Sequence, residues 1–230
     1  MGRVIGALVK SVLNYSSADS LPSRLRRRRF GIFERLMIAG PCFAPSGGAT
    51  QGRPRILDVG GTPKYWKRMG YDGDVTCINL GDYEGADGRI TVLRGDARDL
   101  SRFRDGEFDV VHCNSVLEHV GGWDDQQRAA AELRRVGRRY FVQVPNRNFP
   151  IEPHFLFPGV QFLSESGRRF VARHWPWSAS RMSGMAGDAV IADLVPIRLP
   201  DEAEMRRLFP DGHVWRERFL GLTKSLVLYR

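Results

Sequence analysis

The chain has 230 residues, of which 42% are hydrophobic, 10% aromatic and 27% charged, a composition that suits one compact domain with an insertion or tail and excludes a globally disordered chain. The net charge of +9 is unevenly spread: residues 1–55 carry ten basic and two acidic side chains, while the remaining 175 residues are nearly neutral. Cys42, Cys77 and Cys113 are an odd number and lie far apart without CxxC or Cys/His ligand spacing, so neither a disulfide framework nor a zinc site is indicated.

The N-terminal arm reads as two short amphipathic helices. Val4, Ile5, Leu8, Val9, Val12 and Leu13 fall at helical spacing, as do Leu25, Phe30, Phe33, Leu36 and Met37, with a polar break from Asn14 to Ser20 between them. The stretch Val4–Leu13 is too short for a secretory leader and is broken by Lys10, and no apolar run reaches the roughly 18 residues that span a bilayer. A soluble, cytoplasmic protein is therefore expected, peripheral at a membrane if the arm binds one. Three readings of the basic arm stay open, in descending order: a solvated face, an anchor on an anionic lipid surface using the apolar stripe of Gly2–Leu13 beside the Arg24–Arg29 cluster, or a nucleic-acid contact. Gly40–Gly52, rich in Gly, Pro, Ser and Ala, reads as a linker. The expected organisation is a helical arm and linker over residues 1–52 and a body over residues 53–230.

Beyond Arg53, short apolar runs alternate with helical patterns, which predicts a Rossmann-like α/β fold: a mostly parallel, seven-stranded sheet with helices on both faces. Strands are expected at Arg55–Val59, Val75–Leu80, Ile90–Leu93, Phe108–Cys113 and Tyr140–Val144. Between the last two, Asp124 is expected to cap a helix carrying Ala130, Leu133 and Val136 on one face, with Gly137 ending it. A helix at Asp201–Leu208 precedes strands Val214–Leu220 and Thr223–Tyr229, and their two-residue link requires an antiparallel hairpin.

The segment Ile56–Trp66 (ILDVGGTPKYW) puts an acidic residue and two glycines where the first strand should pass into a helix. Gly60 and Gly61 allow a ligand to approach the main chain, Thr62 can cap, and Pro63 suits the first helical position. From this segment alone, a ligand seat and an ordinary tight turn carry equal weight. Neither GxGxxG nor a P-loop is present, which disfavours a phosphate ligand. The order of later signals is more telling: a second strand ending in Asn79, a third followed by GDARDL (Gly95–Leu100), and a fourth reading FDVVHCNSVLEHV (Phe108–Val120). Together with the C-terminal hairpin, this arrangement resembles the class I S-adenosylmethionine-dependent methyltransferases, in particular the bacterial small-molecule branch with an LEHV helix start, over residues 53–230.

The resemblance implies S-adenosyl-L-methionine as cofactor and assigns roles. Asp58 corresponds to the acidic residue near the methionyl ammonium, with Gly60 and Gly61 along the cofactor; Asp96 to the carboxylate that accepts from the adenine amino group, with the Ala97 main-chain N–H beside it; and Asn114 to the border of the methionyl moiety. Two departures stand out. Asn79 occupies the place of the usual ribose carboxylate, so a ribose contact there should be weaker or come from Asp82. Only Gly60 matches DxGxGxG, since Thr62 and Lys64 stand at the later glycine positions.

Glu118 and His119 follow the fourth strand and are catalytic candidates. Ser115 stands where some relatives carry a Glu that completes a metal site, so no metal is predicted. Between Pro145 and Trp177 lie Phe149, Phe155, Phe157, Phe162, Phe170, Trp175 and Trp177, seven aromatics where about three are expected. Such an insertion at about 145–185 suits a lid over an apolar acceptor, or else a minor subcore; Glu152 and His154 are its polar candidates, His154 as a catalytic residue. The expected activity is methyl transfer to O or N of a small, partly apolar metabolite, free or lipid-linked. The alternatives are a noncatalytic scaffold with a decayed cofactor site, or an RNA methyltransferase using the arm, although no NPPY-like tetrad or Pro-Cys follows the fourth strand. A small-molecule partner is thus favoured over nucleic acid, and oligomeric state is left open.

Overall fold

A computed structural model describes residues 20–39, 53–81, 84–152, 154–176, 178, 184, 185 and 187–230. The first arm helix, the linker, Cys42, Asp82 and Trp177 lie outside the described residues. In chain order the elements are helix α1 (Leu21–Phe33), continued by a π-helical turn (Glu34–Ile38), strand β1 (Ile56–Val59), α2 (Pro63–Met69), β2 (Val75–Asn79), β3 (Gly85–Asp87), β4 (Ile90–Arg94) and β5 (Phe108–Asn114). A 3₁₀ turn (Leu117–His119) leads to α3 (Trp123–Val136) and β6 (Gly137–Pro145). Then follow β7 (Ile151–Glu152), β8 (Phe157–Pro158), a second 3₁₀ turn (Val160–Phe162), α4 (Glu165–His174), α5 (Asp188–Leu194), α6 (Glu202–Leu208), β9 (His213–Phe219) and β10 (Leu222–Tyr229). The described residues form two compact units, one within the ranges up to Glu34 and Pro150–Ile197, the other within Arg35–Phe149 and Arg198–Arg230.

The second unit is an α/β sheet in the order β3-β4-β2-β1-β5-β6-β10-β9. β4, β2, β1, β5 and β6 run parallel, while β3, β10 and β9 pair antiparallel with their neighbours. The expected parallel sheet and C-terminal hairpin are present, with eight strands instead of seven. The extra edge strand, Gly85–Asp87, is three residues long and lacks an apolar period, so nothing in its pattern announces it. All four β1 residues are buried, as the centre of a parallel sheet requires. Leu57 and Val59 join Val111, Cys113, Ala129, Ala130, Leu133 and Val136 in one core.

Local chemistry moves some boundaries. α3 begins at Trp123, not after Asp124: Gly122 is its N-cap, and Asp125 Oδ2 accepts the Gly122 N–H at 3.1 Å. Gly137 ends α3 in an extended conformation (φ −101°, ψ 135°) and starts β6 directly. Its small size is required there, because a Cβ would lie 2.5 Å from Val111 Cγ2. Thr62 precedes α2 without a side-chain capping bond, while Pro63 holds the first helical position as expected.

In the other unit, Ser20 caps α1 and Phe30 and Phe33 bury their rings 5.8 Å apart. Ser164 caps α4 by accepting the Gly167 N–H, and Val171, Ala172, Val190, Ile191 and Leu194 supply its buried residues from α4 and α5. Of the aromatic cluster, Phe155 is buried and Phe157 meets Trp175 edge to face at 5.1 Å, whereas Phe162 and Phe170 are exposed. Among the described residues, no helix is long and apolar enough to cross a membrane.

Candidate functional site

The parallel register sets the foundation of the site. Asp58 stands beside His112 on one side and Cys77 on the other, so all three side chains leave the sheet on one face. Trp66, one turn into α2, reaches down onto that face. Asp58 is 1% exposed: Oδ2 accepts from Trp66 Nε1 at 2.6 Å and Oδ1 from His112 Nδ1 at 2.7 Å. Trp66 and His112 are themselves buried, and the imidazole stacks between Tyr65 (5.7 Å) and Phe141 (6.0 Å). The buried charge is therefore met by two directed donors, the condition under which such a group is tolerated. Burial, with the Asp58 charge adding to it, pushes the Cys77 thiol up. Burial also pushes up Cys113, with Glu118 and Asp58 adding, so neither cysteine is a nucleophile.

The Gly60–Gly61 turn closes over this carboxylate. Gly60 has φ +76°, a conformation that favours glycine, and its N–H donates to Ile78 O at 2.8 Å. A Cβ at Gly61 would fall 1.5 Å from Asp58 Oδ2, and one at Gly60 would fall 2.3 Å from Val116 Cγ2. Asn79, at the end of the adjacent strand, donates through Nδ2 to Gly61 O at 2.6 Å. Asn79 thus ties down the turn and keeps its amide oxygen as an acceptor. A carboxylate could not make this bond, which gives the departure from an acidic residue a physical cause.

Beyond β4, Gly95 N–H donates to Asn79 O at 2.8 Å and carries the chain into the Asp96 turn. Asp96 Oδ1 accepts from the Arg98 main-chain N–H at 2.9 Å, and the Arg98 guanidinium lies along the carboxylate with Nε 3.0 Å from both oxygens. These Arg98 hydrogen bonds hold the Asp96 carboxyl below its usual range. Ala97 is buried beside it. Gly61, Asn79 and Asp96 thus follow the C-terminal ends of three neighbouring strands, the edge at which open α/β sheets receive ligands.

At the end of β5, Asn114 is half-buried and Ser115 adopts φ +56°, an uncommon conformation for a residue with a side chain. Ser115 is held by its own N–H to Gln143 O (3.0 Å) and its hydroxyl to Gln143 Oε1 (2.8 Å). The following 3₁₀ turn separates the two catalytic candidates: Glu118 is fully buried, whereas His119 is exposed. Their unlike environments follow from a turn in which successive side chains point about 120° apart. In the other unit, Glu152 is buried and accepts from the His154 N–H (2.7 Å), the Phe155 N–H (2.7 Å) and His154 Nδ1 (2.5 Å). This orients the His154 ring, with Nδ1 turned toward the Glu152 carboxylate.

Trp66, His112 and Arg98 were absent from the sequence-derived site. His112 interrupts an apolar strand and Trp66 lies one turn past the glycines, but neither signal names Asp58 as the partner.

Residues 58–140 match a family described as a methyltransferase domain. A curated ubiquinone biosynthesis O-methyltransferase of Bordetella avium is 32% identical over 127 residues, covering 50% of this chain and 52% of that protein. An uncharacterized protein of Mycobacterium tuberculosis is 35% identical over 81 residues, 34% of this chain and 27% of its own length. The chain therefore spans between about a quarter and a half of the curated relatives it matches. Among solved structures, the CurJ carbon methyltransferase superposes with a TM-score of 0.56 at 13% identity, covering 97% of this chain and 58% of that one.

Proposed function

We propose, starting from a chain that carries a methyltransferase domain at residues 58–140 on the class I S-adenosylmethionine-dependent fold, that it transfers a methyl group to an oxygen or nitrogen of a small, partly apolar molecule. The observation that carries this reading is the glycine turn closed over the buried Asp58, with Asn79 and Asp96 at the ends of the flanking strands. These residues fit an amino-acid nucleoside. Main-chain groups at Gly60 and Gly61 offer a side-chain-free wall, Asn79 Oδ1 an acceptor for one ribose hydroxyl, and the Asp96 carboxylate with the Ala97 N–H an acceptor and donor pair for an adenine edge. Asp58, with both oxygens engaged, acts from beneath the turn through its charge and its support of Gly61.

S-adenosylmethionine supplies a methyl group on a sulfonium, already activated toward a nucleophile. The remaining tasks of the protein are to align the acceptor, exclude water and remove the acceptor's proton when it is a hydroxyl. With the cofactor bound, methyl transfer to a hydroxyl would leave a proton for a base of this chain to take up. His119, exposed at the end of the 3₁₀ turn, is the base candidate in the unit that carries the cofactor residues, with the buried Glu118 next to it in the chain, and His154, held by Glu152, is the candidate the other unit offers. The name of the Bordetella avium relative favours oxygen over nitrogen as acceptor atom. The exposed Phe162 and Phe170 suit an apolar or lipid-linked acceptor.

Titration calorimetry with S-adenosylhomocysteine tests the cofactor site. Micromolar affinity, weakened about tenfold or more in Asp96→Ala, is expected from the loss of a hydrogen bond to a charged group. Absence of binding would instead favour a noncatalytic scaffold. Asn79→Asp gives a second expectation: although it introduces the carboxylate common in the family, it sets a negative charge against the Gly61 carbonyl at 2.6 Å. The variant should therefore bind the cofactor about tenfold more weakly than the native chain. Tighter binding would show that the tie to Gly61 is dispensable.

A further inference from the structure

We propose that Arg98 is the positioning residue for adenine recognition, fixing the plane of the Asp96 carboxylate so that one acceptor site faces the base; this rests on the reading of Asp96 as the adenine acceptor.

Asp96 sits on a short turn closed by Asp99 N–H to Asp96 O at 3.0 Å, and its side chain is 30% exposed. An aspartate so placed is free to rotate about two torsions and to spend its acceptors on water. Here the Arg98 main-chain N–H and Nε occupy Oδ1, while Nε and Nη2 lie along Oδ2. A carboxylate offers about four acceptor sites. Three donors make four contacts with these sites, so the single N–H that an exocyclic adenine amino group would bring enters on one oxygen in place of the shared Nε contact, whose two 3.0 Å branches are the longest of the four. The planar fork of arginine, pinned against both oxygens, sets where that site points.

Arg98 is itself anchored. Its Nη1 lies 3.2 Å from Asp125 Oδ1, which also accepts from Arg128 Nη2 at 2.6 Å, while Asp125 Oδ2 receives the Gly122 N–H that opens α3. A Cβ at Gly121 would lie 2.3 Å from that same Oδ2, so the loop before α3 is shaped around the carboxylate. The guanidinium is thus a strut between the turn after β4 and the start of α3. Charged groups around Asp96 are Arg98 and Arg128, which favour its ionised form, and Asp99, whose charge is coupled to it.

The pair is 39% and 30% exposed, and exposed ion pairs contribute little to folding. Arg98→Gln should accordingly leave the melting temperature within about 2 °C of the native value. Its effect should appear in base discrimination. The measurement is calorimetric affinity for S-adenosylhomocysteine and for its analogue bearing an unsubstituted purine, in the full chain and in Arg98→Gln, Arg98→Lys and Asp96→Ala. The native chain should prefer the adenine ligand about tenfold or more. Arg98→Gln should lose most of that preference with little change toward the unsubstituted purine, Arg98→Lys should recover part of it, and Asp96→Ala should abolish it. Loss of preference in Asp96→Ala but full retention in Arg98→Gln would overturn the role of Arg98 and leave the adenine reading intact. Retention in Asp96→Ala, or failure of the native chain to bind either ligand, would overturn both.

Discussion

Gly61→Ala is expected to lower stability by about 2–4 kcal/mol and to weaken cofactor binding about a hundredfold. The new Cβ would stand 1.5 Å from Asp58 Oδ2 and 2.1 Å from Asp58 Cγ, well inside van der Waals contact. Relief by moving the carboxylate is closed off, because Trp66 on α2 and His112 on β5 hold its two oxygens from buried positions. The turn must move instead, and with it the Gly60 N–H to Ile78 bond and the Asn79 tie to Gly61 O. Misplacement of such a wall by about 1 Å is enough to lose two orders of magnitude in a positioned site. Gly81→Ala is the control: nothing lies within 4 Å of a Cβ there, so chemical denaturation and cofactor titration should both match the native chain. A Gly61→Ala protein with native stability and affinity would mean that the turn does not rest on Asp58.

The second large effect is at Asp58. Asp58→Ala removes the acceptor for two buried donors, Trp66 Nε1 and His112 Nδ1, and leaves a gap beneath Gly61. Breaking a buried charged arrangement from one side costs about 3–5 kcal/mol, so denaturant midpoints should fall sharply and any loss of cofactor binding would be inseparable from loss of structure. Asp58→Asn is the informative partner. Its oxygen can still accept from Trp66, while its amide can donate to His112 once the imidazole carries its proton on the other nitrogen. We expect a loss of only about 1–2 kcal/mol, with retained fold by circular dichroism and reduced cofactor affinity that reports the missing negative charge. Equal destabilisation in both variants would show that the charge itself, more than the geometry, supports the turn.

Much of this arrangement is legible in the sequence because it is local. The strands declare themselves through β-branched runs ended by turns, and Asp58-Val59-Gly60-Gly61 places a carboxylate and a glycine turn at a strand end without knowledge of the rest. What could not be read depends on register. The Asp58–His112 bond joins residues 54 positions apart, and only the pairing of β1 with β5 brings them side by side. Asn79 is visible as a departure, but its bond to the Gly61 carbonyl follows from the path of the turn. Glu118 and His119 look equivalent as neighbours, yet the 3₁₀ turn buries one and exposes the other. The strut from Asp96 through Arg98 to Asp125 likewise joins a turn to a helix start 27 residues further on.

The account stands on the claim that the main chain at Gly60 and Gly61 lines a seat for a sulfonium nucleoside, and nuclear magnetic resonance of the full chain during titration with S-adenosylhomocysteine tests it residue by residue. We predict saturable shifts of the Gly60, Gly61 and Ala97 amide resonances with a common dissociation constant, and little change at Gly81. Unmoved Gly60 and Gly61 resonances at saturating ligand would contradict it.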